Sequence, residues 1–187
     1  MNHYLDIKIR ALPELVPEHI MEKLFAKIHL ALVELHSSDI AVSFPEMNER
    51  RHSLGHCLRL HGEKDSLSSL VQKAGLAGMS DYLFTGEPRP VPEKCAFRRI
   101  SRVQTKSGVG RLRRRLARRH NLSLEEATAR IPDSVAEKTT LPFVRVRSGS
   151  SGRFFRLFIR HAPLSDTPIP GKFNAYGLSD TATVPWF

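Results

Sequence analysis

The first 94 residues switch repeatedly between the hydrophobic period of a strand and that of a helix, and this alternation narrows the possible folds. Leu5, Ile7 and Ile9 alternate with charged residues, which predicts a strand with one buried face. Residues 18–36 place apolar side chains along one stripe, which predicts a helix. Shorter patterns predict strands at residues 40–44, 56–61 and 82–84, and between the last two a helix capped by Asp65 or Ser66 and ended by Gly75.

The predicted order of elements in this half is therefore β-α-β-β-α-β, which is the order of the ferredoxin-like (RRM-like) arrangement. Pro88, Pro90 and Pro92 follow directly and mark a boundary. We expect an α+β protein with a ferredoxin-like domain at residues 1–94 and a smaller α/β domain at residues 95–187.

The second half is predicted to begin with one extended segment, residues 97–104. Four of its side chains would share one side: Arg98, Ile100, Arg102 and Gln104. A helix is predicted at residues 111–120. Ser123-Leu124-Glu125-Glu126 is a capping box, which predicts a second helix running to Ile131.

Two further strand patterns, at residues 141–147 and 154–160, enclose a loop rich in Ser and Gly at residues 148–152. This arrangement predicts a β-hairpin. Residues 173–178 are predicted to form one more short strand.

The excess of positive over negative charge comes from one segment of the chain. Ten Lys or Arg residues and no Asp or Glu lie between Cys95 and Leu124, and the net charge of the whole chain is +10. The flanking regions are therefore close to neutral. This distribution predicts a polyanionic partner that is bound locally.

The predicted helix at residues 111–120 concentrates this charge. At about 100° per residue, five arginines form one continuous face: Arg111, Arg114, Arg115, Arg118 and Arg119. A membrane-surface helix would need a large apolar face, which Leu112, Leu116 and Ala117 do not supply, and a localisation signal needs no helical period. Nucleic acid is favoured, because phosphates offset the repulsion between the arginines.

Cys57 and Cys95 are too few for a disulfide framework and lack the spacing of a zinc site. The sequence contains no carboxylate cluster typical of a metal site, so no metal or cofactor is expected. We also expect no signal peptide and no membrane span, and therefore a protein of the reducing cytoplasm.

Several separate blocks of sequence closely resemble the CRISPR repeat-processing endoribonucleases of subtype I-F. They occur in the same order and span nearly the whole chain, with the weakest match at residues 46–95. The blocks are His3-Tyr4-Leu5-Asp6-Ile7, Val42-Ser43-Phe44-Pro45, Ser101-Arg102-Val103-Gln104, Arg111-Leu112-Arg113-Arg114-Arg115-Leu116, Phe155-Arg156-Leu157-Phe158-Ile159-Arg160-His161, Tyr176-Gly177-Leu178-Ser179 and Val184-Pro185-Trp186-Phe187.

The resemblance implies a metal-independent ribonuclease that binds the stem-loop of a CRISPR repeat transcript and cuts at the 3′ base of the stem. It implies that the protein then stays bound to the product as a subunit of the type I-F surveillance complex. The implied fold is a ferredoxin-like domain followed by a smaller domain that carries the arginine helix. The free protein is expected to be a monomer.

The chemistry would be attack of a ribose 2′-hydroxyl on the neighbouring phosphate, which needs a base that titrates near neutral pH. By residue type alone, His29 is more often a half-buried structural histidine, and its match to the family's catalytic histidine favours the base. The resemblance implies that Ser148 holds the nucleophilic hydroxyl and that Ser150 assists at the phosphate. Tyr176 is predicted either to orient His29 or to be a core tyrosine.

The remaining candidates would contact the RNA. Phe155 is either a core residue or, by the resemblance, a platform stacked on the foot of the stem. Arg102 and Gln104 carry hydrogen-bonding groups suited to purine edges, which surface residues in salt bridges would also offer. The family positions in the arginine helix are Arg115, Arg118, Arg119 and His120.

Two rival hypotheses also assign nucleic-acid binding to the basic helix but propose a different function for the protein. A non-catalytic protein that binds structured RNA would need the same charged face. A DNA-binding protein is the third hypothesis, and the absence of a clear dimerisation segment argues against it.

Overall fold

The computed structural model describes residues 1–104, 109–132, 139–149 and 152–187, and for Arg111 it describes the backbone alone. These residues form two compact units, Met1–Val103 with Leu141–Phe187, and Gln104–Thr140. The first unit includes strands from both sides of residue 94. The predicted domains, residues 1–94 and 95–187, therefore have different boundaries from these two compact units. The domain division stays a prediction.

The first unit begins with the predicted order β-α-β-β-α-β, and the protein is a mixed α+β protein with antiparallel sheets. The elements up to residue 94 are β1 (His3–Ile9), α1 (Pro17–Glu34), β2 (Ala41–Ser43), β3 (Cys57–Gly62), α2 (Lys64–Ala74), a 3-10 turn (Leu76–Met79), β4 (Leu83–Thr85) and β5 (Arg89–Pro90). The described strands of this sheet have the order β2-β3-β1-β4, and β5 also pairs with β1. All of these pairs are antiparallel.

The core of this unit lies between the sheet and the helices α1 and α2, which contact each other and the sheet. In the register of β1 and β3, Leu5 lies opposite Leu60 and Ile7 opposite Leu58, and all four side chains are buried. The predicted stripe of α1 supplies the other side of the core, with Leu24, Phe25, Ile28 and Leu32 buried. The strand and helix periods therefore predicted most of this core. The helix ends at Glu34, however, and Leu35, within the predicted range 18–36, is 39% exposed.

The ends of α2 confirm one prediction and correct another. Gly75 ends the helix in the left-handed region at φ +58°, as predicted. The predicted cap by Asp65 or Ser66 is wrong, because the helix begins at Lys64 and Glu63 occupies the N-cap without a side-chain bond. Both candidates therefore lie inside the first turn, and the Ser66 hydroxyl donates to Asp39 instead.

The rest of the first unit forms two smaller sheets. Their strands are β6 (Ala96–Arg98), β7 (Ile100–Val103), β8 (Phe143–Arg147), β9 (Phe154–His161) and β10 (Val184–Trp186). The order β7-β9-β8 confirms the predicted hairpin, and β6 pairs with β10 in a separate sheet. The segment predicted to be extended at residues 97–104 lies in two strands, β6 and β7, which are separated at Arg99, whose carbonyl accepts the Ala162 N–H.

The second unit contains α3 (Val109–His120) and α4 (Leu124–Arg130), which pack against each other. The predicted capping box is confirmed: Ser123 Oγ accepts the Glu126 N–H, and Glu126 accepts the Ser123 N–H. The backbone N–H of Ser123 lowers the pKa of the Glu126 carboxyl. Among the described residues, no helix has the length and apolar character that a membrane span requires.

Candidate active site

His29 lies on the flank of the buried stripe of α1, half-buried beside Ile28. Its imidazole Nδ1 lies 2.7 Å from the carbonyl oxygen of Ala175. A carbonyl oxygen only accepts hydrogen bonds, so Nδ1 carries the proton in this bond. Neutral imidazole holds one proton, and Nε2 therefore retains a lone pair that can accept another. In this tautomer, Nε2 is therefore the nitrogen that is available to accept a proton.

Tyr176 covers the imidazole of His29. The two rings are stacked, with centroids 4.2 Å apart and an interplanar angle of 18°. Phe25, one helical turn before His29, is also parallel to Tyr176, with centroids 6.4 Å apart. The tyrosine therefore lies along the α1 face that carries His29 and restricts the rotation of the imidazole.

A tight turn, and not the predicted strand, carries Ala175 and Tyr176, so the prediction at residues 173–178 is wrong. The side-chain oxygen of Asn174 accepts the N–H groups of Tyr176 and Leu178. Gly177 adopts φ +70°, and its carbonyl accepts the Val42 N–H at 2.8 Å. A Cβ at Gly177 would lie 2.5 Å from Val42 Cγ2, so this close contact requires glycine.

Arg102 and Phe155 join the same group of side chains. Arg102 lies opposite Ile159 in the β7–β9 register, which puts it on the sheet face of Phe155 and buried Leu157. Its guanidinium carbon is 5.4 Å from the Phe155 ring centroid and 5.7 Å from that of Tyr176. The structure therefore brings together four of the predicted site residues: His29, Tyr176, Arg102 and Phe155.

Ser148 directly follows β8 and closes the hairpin turn. Its N–H donates to the Arg153 carbonyl at 2.9 Å, and its own carbonyl accepts the Gly152 N–H at 2.8 Å. Ser150 lies outside the described residues. The strand before this turn, β8, is hydrogen-bonded to α1. The Glu22 carboxylate on α1 accepts hydrogen bonds from the Arg145 guanidinium on β8.

Sequence reasoning missed Glu22, Arg145 and Ala175. Glu22 precedes His29 by seven residues, which places both on the same face of the helix. This spacing was the one sequence signal that could have indicated Glu22. A backbone carbonyl such as that of Ala175 leaves no signal in a sequence.

The predicted RNA-contacting residues outside this group are exposed. Gln104 directly follows β7 and is exposed. On α3, five predicted contacts are exposed: Arg114, Arg115, Arg118, Arg119 and His120. Leu112, Leu116 and Ala117 are half-buried, which agrees with the predicted division of the helix into two faces. The side chain of Arg111 lies outside the described residues.

Burial favours the neutral forms of three other groups, two histidines and one cysteine. Burial lowers the pKa of His61 to about 3 and that of His161 to about 4. Burial raises the pKa of the Cys57 thiol to about 12. These groups are poor candidates for a base or a nucleophile near neutral pH. Within the described part of the chain, no group of three or more His, Cys, Asp or Glu residues could hold a metal ion.

Comparisons with known proteins agree with the resemblance. Residues 4–187 match the family model described as CRISPR-associated protein (Cas_Csy4). The chain is 52% identical over its full length to the CRISPR-associated endonuclease Cas6/Csy4 of Pseudomonas aeruginosa (strain UCBPP-PA14), all of which is covered. It is 42% identical to the protein of the same name from Escherichia coli (strain UTI89 / UPEC), again over the full length of both chains.

Proposed function

The chain belongs to the CRISPR-associated Cas_Csy4 family, and on that premise we propose that it is an endoribonuclease that matures CRISPR RNA. Its substrate is the stem-loop of the CRISPR repeat transcript, which it cuts at the 3′ base of the stem. It acts in the cytoplasm, is a monomer when free, and stays bound to its product with other subunits of the type I-F surveillance complex. The names of the two relatives support the endonuclease activity.

The proposed mechanism needs no metal ion. His29 Nε2 removes the proton of the ribose 2′-hydroxyl, and the 2′ oxygen attacks the adjacent phosphorus. The new 2′-O–P bond replaces the P–O5′ bond, which leaves a 2′,3′-cyclic phosphate. The departing 5′ oxygen takes a proton from water and becomes a hydroxyl, and His29 later returns its proton to water, so the protons balance.

The observation that carries this proposal is the bond from His29 Nδ1–H to the Ala175 carbonyl at 2.7 Å. It leaves the lone pair on Nε2, where a base needs it. Tyr176 keeps the imidazole oriented by stacking at 4.2 Å. Ser148 aligns the 2′-hydroxyl, and Ser150 assists at the phosphate.

The other predicted residues bind the RNA. Phe155 stacks on the foot of the stem, and Arg102 and Gln104 recognise bases near it. Four residues of α3 contact the stem, mainly its phosphates: Arg115, Arg118, Arg119 and His120. The proposed fold is a ferredoxin-like domain at residues 1–94, followed by a smaller domain. The antiparallel strand order β2-β3-β1-β4 supports this proposal.

The test is His29→Ala, assayed on the repeat hairpin in the presence of a chelator. We expect binding to persist and cleavage to be lost. His19→Ala is the matched control, because His19 is an exposed histidine ten residues earlier on the same helix. Cleavage by His29→Ala at the wild-type rate would contradict the base assignment. A requirement for magnesium would contradict the metal-independent mechanism.

The second candidate function is a non-catalytic protein that binds structured RNA, which the exposed arginines of α3 would also serve. An RNA with a single 2′-deoxyribose at the cut site distinguishes the two. The endoribonuclease binds it without cutting and cuts the all-ribose RNA, whereas a binding protein treats both RNAs alike.

A further inference from the structure

The tautomer of the His29 imidazole depends on a backbone carbonyl that a distant turn supplies. The Nδ1–H of His29 donates to the Ala175 carbonyl at 2.7 Å, which leaves the lone pair on Nε2. A histidine side chain in water favours the opposite tautomer, with the proton on Nε2. The tautomer that can act as a base through Nε2 therefore requires the Ala175 carbonyl to stay in place.

The side chain of Asn174 closes the turn that carries this carbonyl. Its Oδ1 accepts the Tyr176 N–H at 2.9 Å and the Leu178 N–H at 3.3 Å. Both neighbours are N–H donors, so the side-chain atom that faces them is the oxygen. A side-chain oxygen that accepts the N–H two residues later forms an Asx turn. Asn174 therefore encloses Ala175 in a turn of its own making.

The bond to the Tyr176 N–H is the decisive one, because this N–H and the Ala175 carbonyl belong to the same peptide group. The peptide is planar and trans, so its N–H and its C=O point in opposite directions. Asn174 Oδ1 therefore holds one side of the peptide, and His29 Nδ1–H holds the other. Rotation of the peptide would break both hydrogen bonds, and two such bonds in series strengthen each other.

Other contacts hold the turn on the protein without the help of the Asn174 side chain. Phe173 and Leu178, which flank the turn, are buried, and the Phe173 N–H donates to the Ser38 carbonyl at 3.0 Å. Asn174 itself is exposed. Removal of its side chain should therefore leave the fold intact and release mainly the peptide after Ala175.

We infer that Asn174 is a positioning residue for the cleavage reaction and that it fixes the tautomer and orientation of His29 through the peptide between Ala175 and Tyr176. The inference rests on the proposed function where it assigns His29 as the base. The role of Asn174 differs from that of the Tyr176 ring. Stacking at 4.2 Å restrains the imidazole plane but does not select the nitrogen that carries the proton.

The experiment measures the imidazole ¹⁵N chemical shifts of the full chain without RNA, because protonated and unprotonated ring nitrogens have well-separated shifts. The measurement is made at about pH 8.5, well above the usual histidine pKa of about 6.5. His29→Ala identifies the signals of His29 among the nine histidines. The wild type should carry the proton on Nδ1. Asn174→Ala should move most of the population to Nε2–H, and Asn174→Asp, which keeps the acceptor oxygen, should restore Nδ1–H.

Cleavage is measured on the same variants. Asn174→Ala should slow cleavage on the saturated complex on the order of tenfold and leave the affinity for the 2′-deoxy hairpin close to wild type. Asn48→Ala is the matched control, because Asn48 is also exposed and its Oδ1 accepts the Arg51 N–H at 3.1 Å in a different turn. It should change neither the tautomer of His29 nor the cleavage rate.

A wild-type tautomer in Asn174→Ala would overturn the inference even if stability or cleavage fell, because a purely structural role does not move the proton. A shift of the proton with wild-type cleavage would support the link from Asn174 to His29 and contradict the proposed base, so the two failures are distinguishable. If the alanine variant does not fold, Asn174→Gly takes its place, since glycine also lacks the acceptor and adapts to turn conformations.

Discussion

The carboxylate of Glu22 on α1 accepts hydrogen bonds from the Arg145 guanidinium on β8 at 2.8, 2.9 and 3.0 Å, and from the Arg145 backbone N–H at 3.3 Å. The hydrogen bond to Glu22 raises the pKa of Arg145. His29 follows Glu22 by two helical turns, about 10 Å, and Ser148 follows Arg145 by three strand residues, also about 10 Å. This pair therefore ties the helix of the proposed base to the strand of the proposed positioning serine.

We predict that Glu22→Gln slows cleavage on the saturated complex, on the order of tenfold, because small displacements of reacting groups reduce the rate strongly. Affinity for the 2′-deoxy hairpin should stay close to wild type. Single-turnover cleavage and equilibrium binding measure the two effects. Glu34→Gln, which breaks the exposed Glu34–Lys73 pair on the same helix, should change neither. Wild-type cleavage by Glu22→Gln would show that the pair does not position the site.

We predict that Gly177→Ala destabilises the protein by about 1–3 kcal/mol, because a side chain is strained at positive φ, and the new Cβ also meets Val42. Urea unfolding measures the loss. The turn carries Ala175 and Tyr176, so cleavage by the folded variant should also fall. Gly78→Ala is the control, since among the described residues no atom beyond its own chain neighbours lies within 4 Å of the Cβ position of Gly78. Equal stability of the two variants would contradict the role of Gly177.

We predict that replacing both Arg115 and Arg118 by Gln weakens hairpin binding and lowers the slope of its salt dependence by about 1.8, at about 0.9 per lost phosphate contact. Cleavage on the saturated complex should stay nearly intact. Replacing Arg50 and Arg51 removes the same charge from exposed positions outside α3 and should leave the slope unchanged. A large loss of the bound-state rate would mean instead that α3 also aligns the scissile phosphate.

We predict that His61 makes stability depend on pH. Burial lowers its pKa from 6.5 to about 3, so between these values the unfolded state binds one more proton than the folded state. The free energy of unfolding should therefore fall as pH falls through this window, by about 1.4 kcal/mol per pH unit from this group.

The measurement is urea unfolding of the wild type and His61→Gln between about pH 6 and 4.5, within the window where the linkage acts. Gln can keep a hydrogen bond to Ser43, which lies 2.8 Å from His61. The variant should show a shallower slope, and replacement of the exposed His19 by Gln should not. Equal slopes in His61→Gln and the wild type would mean that His61 takes up its proton in the folded state.

Local patterns predicted the elements whose causes lie within a few residues. The capping box from Ser123 to Glu126, the stop at Gly75 and the buried stripe of α1 all follow from side chains one turn apart. The strand prediction at residues 173–178 failed for a local reason, because the side-chain oxygen of Asn174 accepts the N–H groups of Tyr176 and Leu178 and closes a turn. The division of residues 97–104 into two strands depends instead on other parts of the chain. The segment at residues 97–104 divides because β6 and β7 pair with different strands.

The sequence by itself determined where the charge lies, which residues form the helices and most of the strands, and to which family the chain belongs. Only the tertiary structure decided which imidazole nitrogen of His29 carries the proton, because the carbonyl that accepts this proton belongs to Ala175, 146 residues away. The same holds for Glu22 and Arg145, which are 123 residues apart. The reason is physical: helix periods and caps act between neighbours, whereas these contacts exist only after the core has packed.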